Sequence, residues 1–241
     1  MFFTVKRHTL LLFGLALIFS LGLALCLSYP DAAPAFRAAD TKPVYVLDAG
    51  HGGEDGGAVS KSGVKESGIN LAITHDLNEL LQFLGEDTVL TRSDDVSIHS
   101  NGAETLHQKK VSDLKNRVAL VNATPGAILV SIHQNSLPQV PSVHGAQVFY
   151  GKAAQGEALA LSVQSVLNQS INIGNEKHEK QIDPTIYLMK NVTCPAILVE
   201  CGFLSNNAET EKLQDPAYQK KIAASIAAGL LNCKDTEREV P

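Results

Sequence analysis

Residues 44–53 read Val44-Tyr45-Val46-Leu47-Asp48-Ala49-Gly50-His51-Gly52-Gly53, an apolar run to Asp48 that ends in a glycine-rich turn carrying one histidine. A short apolar run bounded by glycines is the pattern of a buried strand opening into a loop. Immediately downstream, Ile69, Ile73, Leu77, Leu80, Leu81 and Leu84 recur at helical spacing across Glu66–Leu84, and Gly85 supplies a stop. Thr88–Arg92 then reads as a second strand. Strand, helix, strand is the opening rhythm.

That rhythm continues to the end of the chain. A polar stretch, Ser93–Lys110, leads into a helix with Val111, Leu114, Val118 and Val121 as its apolar stripe, and Ala127–His133 reads as another buried strand. Gly145–Tyr150 predicts a strand, Glu157–Leu167 a helix, Ile186–Met189 and Ala196–Glu200 two more strands, and Tyr218–Leu231 a closing amphipathic helix. Such alternation predicts an α/β fold: a single domain with a twisted, mainly parallel sheet flanked by helices.

Ahead of this domain, Lys6 and Arg7 precede an apolar run of 18 residues from Leu10 to Leu27. The pattern reads as an export segment, and its length suits either a cleaved signal peptide or a retained membrane anchor. The expected organisation is therefore a signal peptide or anchor over 1–28, a linker over 29–42, the catalytic domain over 43–233 and a polar tail over 234–241. Export also bears on the cysteines. Cys194 and Cys201 bracket one expected strand, whose extended length of roughly 20 Å is too great for a bridge between them. Buried thiols are expected, with a disulfide to Cys233 as the alternative, and the chain has no Cys-x-x-Cys pair for a thiolate metal site. A formal charge of -5 gives no basic field for a nucleic-acid backbone, so nucleic acid is excluded as a partner.

Four residues carry the chemistry. His51 follows the first strand, His133 closes Ala127–His133, Glu200 closes Ala196–Glu200, and Glu66 opens the first helix. In open α/β sheets, ligands bind at the carboxyl ends of the strands. Two histidines and a carboxylate around an open position are the ligand set of a hydrolytic zinc ion, and a spare acid can then serve as general base. Each residue alone has an ordinary reading: a hydrogen-bonded loop histidine, a polar strand end, a carboxylate paired with a lysine, or a helix N-terminal acid. Their coincidence on one edge makes the case.

The blocks Leu47-Asp48-Ala49-Gly50-His51-Gly52-Gly53, Lys65-Glu66, Leu90-Thr91-Arg92, Asn116-Arg117, Val130-Ser131-Ile132-His133-Gln134-Asn135, Gly145-Ala146-Gln147-Val148-Phe149-Tyr150 and Leu198-Val199-Glu200-Cys201-Gly202-Phe203-Leu204-Ser205-Asn206 occur in this order. With them, the segment from Val44 to Leu231 resembles the zinc-dependent N-acetylmuramoyl-L-alanine amidases of the amidase_3 family. The resemblance implies Zn2+ ligands at His51, Glu66 and His133, a catalytic glutamate at Glu200, and peptidoglycan as substrate. Within the family, the N-terminal segment and Gln108-Lys109-Lys110-Val111-Ser112-Asp113-Leu114-Lys115-Asn116-Arg117 are similar to the spore germination subgroup, which acts on cortex ahead of muramic-δ-lactam formation. A vegetative or cell-separating amidase of the same fold is the alternative, as is a non-catalytic wall-binding adaptor or a zinc peptidase cutting within the stem. The implied setting is extracytoplasmic, with the membrane contacted through the N-terminal segment. The chain carries no wall-binding repeat, so a protein activator or positioning partner is a further expectation.

Overall fold

The computed structural model describes residues 42–238, with side chains to residue 233. The leader expected over 1–28 and most of the linker lie outside the described residues, and among those described no helix is long and apolar enough to cross a membrane. Six strands are present: β1 Val44–Ala49, β2 Asp87–Leu90, β3 Ala127–Asn135, β4 Gln147–Tyr150, β5 Lys180–Gln181 and β6 Ala196–Phe203. They form one sheet in the order β2-β1-β3-β6-β4-β5. Pairing is parallel except between β4 and β6, as expected for strands joined by helical crossovers.

The helices are α1 Glu66–Phe83, α2 Leu106–Ala123, α3 Gly156–Ser170, α4 Tyr187–Asn191, α5 Asn207–Leu213 and α6 Pro216–Arg238. Alternation along the strands feeds two cores. Tyr45, Leu47, Val130, Ile132, Ile197 and Val199 pack with Ile73 and Leu77 of α1, Val163 of α3 and Ile226 of α6. Val46, Leu129 and Leu198 face the other way, with Val121 of α2 and Leu188 and Met189 of α4. Both faces of the sheet are covered, which is why the strands read as continuous apolar runs.

The expected elements are recovered, β5 and α5 are additional to them, and several expected elements differ in kind or extent. Ile186–Met189 is not a strand but runs into the short helix α4. Asp183 accepts hydrogen bonds from the Thr185 backbone and hydroxyl, and Ile186 N bonds Asp183 O, so the chain turns just before the apolar run and closes it into a helix. A four-residue apolar run carries no period that separates strand from helix. Helix α2 starts at Leu106, inside the stretch expected as polar loop, because Thr105 and Gln108 form a reciprocal capping box there. Helix α6 runs to Arg238, past the expected Leu231 and into the segment expected as a polar tail.

Candidate metal centre

The strand face under α2 and α4 changes character along its length. Val46, Leu129 and Leu198 are apolar, and two residues further on the same face presents Asp48, Ser131 and Glu200, with His133 beyond Ser131. The site lies at the carboxyl end of the sheet, where the strands hand over to loops. Neither His133 nor Glu200 is the last residue of its strand, since β3 continues to Asn135 and β6 to Phe203.

Three of the four expected residues converge. His51, Glu66 and His133 each offer a donor atom, and these atoms all lie within 4.8 Å of one another. His51 Nε2 is 3.4 Å from Glu66 Oε2, and His133 Nδ1 is 2.9 Å from Glu66 Oε1. The two imidazole rings meet edge to face with centroids 5.1 Å apart. Glu66 is further fixed by Ala58 N on one oxygen and by Gln134 N and Asn70 Nδ2 on the other. Burial alone would raise its carboxyl, but the His133 hydrogen bond and the two histidine charges outweigh that and hold it at about 2.

Glu200, the fourth, stands directly across from His133 on the neighbouring strand. Burial pushes its carboxyl up to about 7, opposed by His133 and reinforced by Glu66. Its Oε2 is buried and makes no hydrogen bond to the protein. An orphaned carboxylate oxygen beside a His, Glu, His cluster is what a site built around a further polar group leaves behind. The backbone is shaped for that cluster as well. A Cβ on Gly50 would lie 2.3 Å from His133 Cε1, and one on Gly57 would lie 2.5 Å from Glu66 Oε2. Donor set and cradle therefore fit a zinc ion.

Other residues support the cluster without having stood out as site residues in the sequence. Asp55 Oδ2 is 3.0 Å from His51 Nδ1, leaving Nε2 toward Glu66, the arrangement by which a carboxylate orients a ligating imidazole. His51 itself has φ +63°, an uncommon region for a residue with a side chain. Its carbonyl is held by Arg117 Nη2 at 2.7 Å. Arg117 also donates to Asp48 at 2.5 Å and to Asp113 at 2.6 Å, all three buried. A partial signal was present: Arg117 falls on the apolar stripe of α2, three residues after Leu114 and four before Val121. Only its partners were invisible.

Among the described residues, the other histidines stay apart from the cluster. His75 bonds Ser93 O, His99 bonds Ser97, and His144 bonds Ser142 O. Cys201 faces the core opposite Glu200, fully buried. A cavity of about 310 Å³ opens beside His51, lined among others by Gly53, Asp55, Val96, Leu106 and Lys110.

Comparison with known proteins agrees with this geometry. The family described as N-acetylmuramoyl-L-alanine amidase, Amidase_3, matches residues 46–232. The germination-specific N-acetylmuramoyl-L-alanine amidase of Bacillus subtilis is 36% identical over 78% of this chain and 78% of its own length. Among solved structures, the CwlD amidase from Clostridioides difficile, in complex with the GerS lipoprotein, is 39% identical with a TM-score of 0.77, covering 80% of this chain and 99% of that one. The catalytic domain of CwlV, an N-acetylmuramoyl-L-alanine amidase from Bacillus (Paenibacillus) polymyxa, is 29% identical with a TM-score of 0.68, covering 80% of this chain and 98% of that one. By family model, identity and fold together, this chain belongs to the Amidase_3 family of N-acetylmuramoyl-L-alanine amidases.

Proposed function

We propose that the protein hydrolyses the amide bond between N-acetylmuramic acid and L-alanine in peptidoglycan, with zinc held by His51, Glu66 and His133 and with Glu200 as general base and acid. The observation that carries this reading is the convergence of those three donor sets beside a buried Glu200 oxygen that has no protein partner. Zinc, when bound, supplies Lewis acidity toward the scissile carbonyl and acidifies a water.

The chain's own residues do the rest. Glu200 takes a proton from the attacking water as its oxygen adds to the carbonyl carbon, then delivers that proton to the alanine nitrogen as the C–N bond breaks. Burial acts to raise the Glu200 carboxyl, the direction that suits a group which must both take up and return a proton. Asp55 holds the His51 ring in the orientation that turns Nε2 inward. The cavity beside His51 offers room for a substrate group next to the scissile bond. No side-chain nucleophile is required, and Cys201 is buried on the opposite strand face.

Similarity to a germination-specific amidase supports spore cortex as the peptidoglycan acted on. Similarity to an amidase solved in complex with a lipoprotein supports a protein partner that positions or activates this one. We assign the N-terminal apolar segment to export, as a cleaved signal peptide or a retained membrane anchor, with action outside the cytoplasm.

The deciding experiment is mass spectrometry of muropeptides after the purified protein is incubated with peptidoglycan, with and without zinc. Zinc-dependent release of intact stem peptides is expected. Shortened peptides or free amino acids would indicate a peptidase, and glycan binding without release from zinc-loaded protein would indicate an adaptor.

A further inference from the structure

Arg92 is buried, yet its nearest carboxylate, Asp95, is 3.9 Å away, beyond hydrogen-bond reach. Its guanidinium is instead spent on backbone carbonyls. Nε donates to Ala49 O at 2.8 Å, Nη2 to Gly50 O at 3.2 Å and to Ser67 O at 2.9 Å, and Nη1 to Asp94 O at 2.8 Å. Arg117, by contrast, is neutralised by Asp48 and Asp113. A buried cation whose ion pair, to the half-exposed Asp95, is long and makes no hydrogen bond is costly, and four carbonyl acceptors around a planar fork are what make it tolerable.

The identity of those carbonyls matters. Ala49 and Gly50 immediately precede His51, and Ser67 immediately follows Glu66. One rigid group therefore ties the strand end that presents His51 to the helix turn that presents Glu66. Asn70 adds a lighter tie of the same kind, with Nδ2 bonding both Gly50 O and Glu66 Oε1. We infer that Arg92 is a positioning residue that sets the spacing of His51 and Glu66, and hence the affinity of the site for its metal. The inference rests on the ligand assignment proposed above.

Lysine keeps the charge at this position but cannot span carbonyls on two segments with a planar fork. Arg92→Lys in the full chain is expected to fold and to raise the zinc dissociation constant roughly tenfold or more, the scale seen when groups supporting metal ligands are removed. Competition with a chromophoric chelator reads this without reference to turnover, and hydrolysis by the variant should recover as zinc is raised. Ile226→Val, which trims the core and makes none of these contacts, should lower the melting temperature and leave zinc affinity unchanged. Wild-type zinc affinity in Arg92→Lys would overturn the inference. So would equal weakening in Ile226→Val, because the effect would then be general destabilisation. Should Arg92→Lys not fold, Arg92→Gln removes the buried charge together with the fork and carries the same readout. Failure of both to fold even with zinc would also overturn it, since Arg92 would then hold the fold as a whole. His51→Ala binding zinc like the wild type would instead sink the ligand assignment, and the inference with it.

Discussion

His133 and Glu200 are register partners on the adjacent parallel strands β3 and β6. Partnered residues of neighbouring strands project from the same face of the sheet. The pairing thus sets a proposed metal ligand beside the proposed base on the two strands at the middle of the sheet order. Neither residue depends on a long loop for its position, and rigid elements hold functional groups more tightly than loops do.

Removing the base should separate binding from chemistry. Glu200→Ala is expected to keep its zinc and lose roughly 10²–10⁴-fold in turnover, the range assigned to general acid–base catalysis. Zinc content by atomic emission, read beside muropeptide release, checks both halves. Near-normal hydrolysis would take Glu200 out of the mechanism.

Space at Gly50 is a second point of control. Its φ is not in the left-handed region, so alanine brings no backbone strain, but the added methyl would fall on the His133 ring, with Cε1 at 2.3 Å and Nε2 at 2.4 Å. Gly50→Ala should therefore displace His133 and weaken zinc binding roughly tenfold or more while the protein remains folded. Isothermal titration with zinc would test this; unchanged affinity would mean that the ring relocates without consequence.

The Asp48–Arg117 pair predicts how the fold responds to acid. Burial would raise the Asp48 carboxyl, but Arg117, the Ser131 hydroxyl, the charge of His133 and the Thr91 hydroxyl outweigh it and hold it at about 2 against an ordinary 3.8. A carboxyl depressed by folding contributes stability above its unfolded value and loses it as pH falls through its folded value. The window is therefore pH 4 down to 2. Asp48→Asn should cost about 2 kcal/mol near neutral pH, with the gap to wild type narrowing across that window. Urea unfolding at several pH values measures it, and a gap independent of pH would place the pair's contribution elsewhere.

Cys201 offers a test of what the reaction does not use. Burial, with Glu200 adding to it, pushes the thiol well above the ordinary cysteine range, and its side chain is fully enclosed. Iodoacetamide should leave Cys201 unlabelled in the native protein, with hydrolysis unaffected. Rapid labelling coupled to inactivation would contradict this.

The alternation of apolar runs and helical stripes marked most elements, because burial on both faces of a parallel sheet leaves a continuous apolar signature. Where that signature is short, as at Ile186–Met189, the turn at Asp183 decided the outcome through a local hydrogen bond. The start of α2 escaped for the opposite reason: its first turn is polar, and its cap is a pair of side chains three residues apart.

The same division runs through the site. Sequence alone brought His51, Glu66, His133 and Glu200 to the carboxyl edge of the sheet, two of them within three residues of a strand end and not at it, since residue type and position relative to an apolar run are local properties. Tertiary structure decided what joins them: the register that sets Glu200 opposite His133, Asp55 behind His51, Arg117 on the carboxylates of Asp48 and Asp113 and the carbonyl of His51, and Arg92 with hydrogen bonds to backbone carbonyls alone. Every residue has a carbonyl, so the sequence carries no mark of which ones a guanidinium will find. Only when β1, β2 and the first turn of α1 are packed together do the oxygens of Ala49, Gly50 and Ser67 come within reach of Arg92.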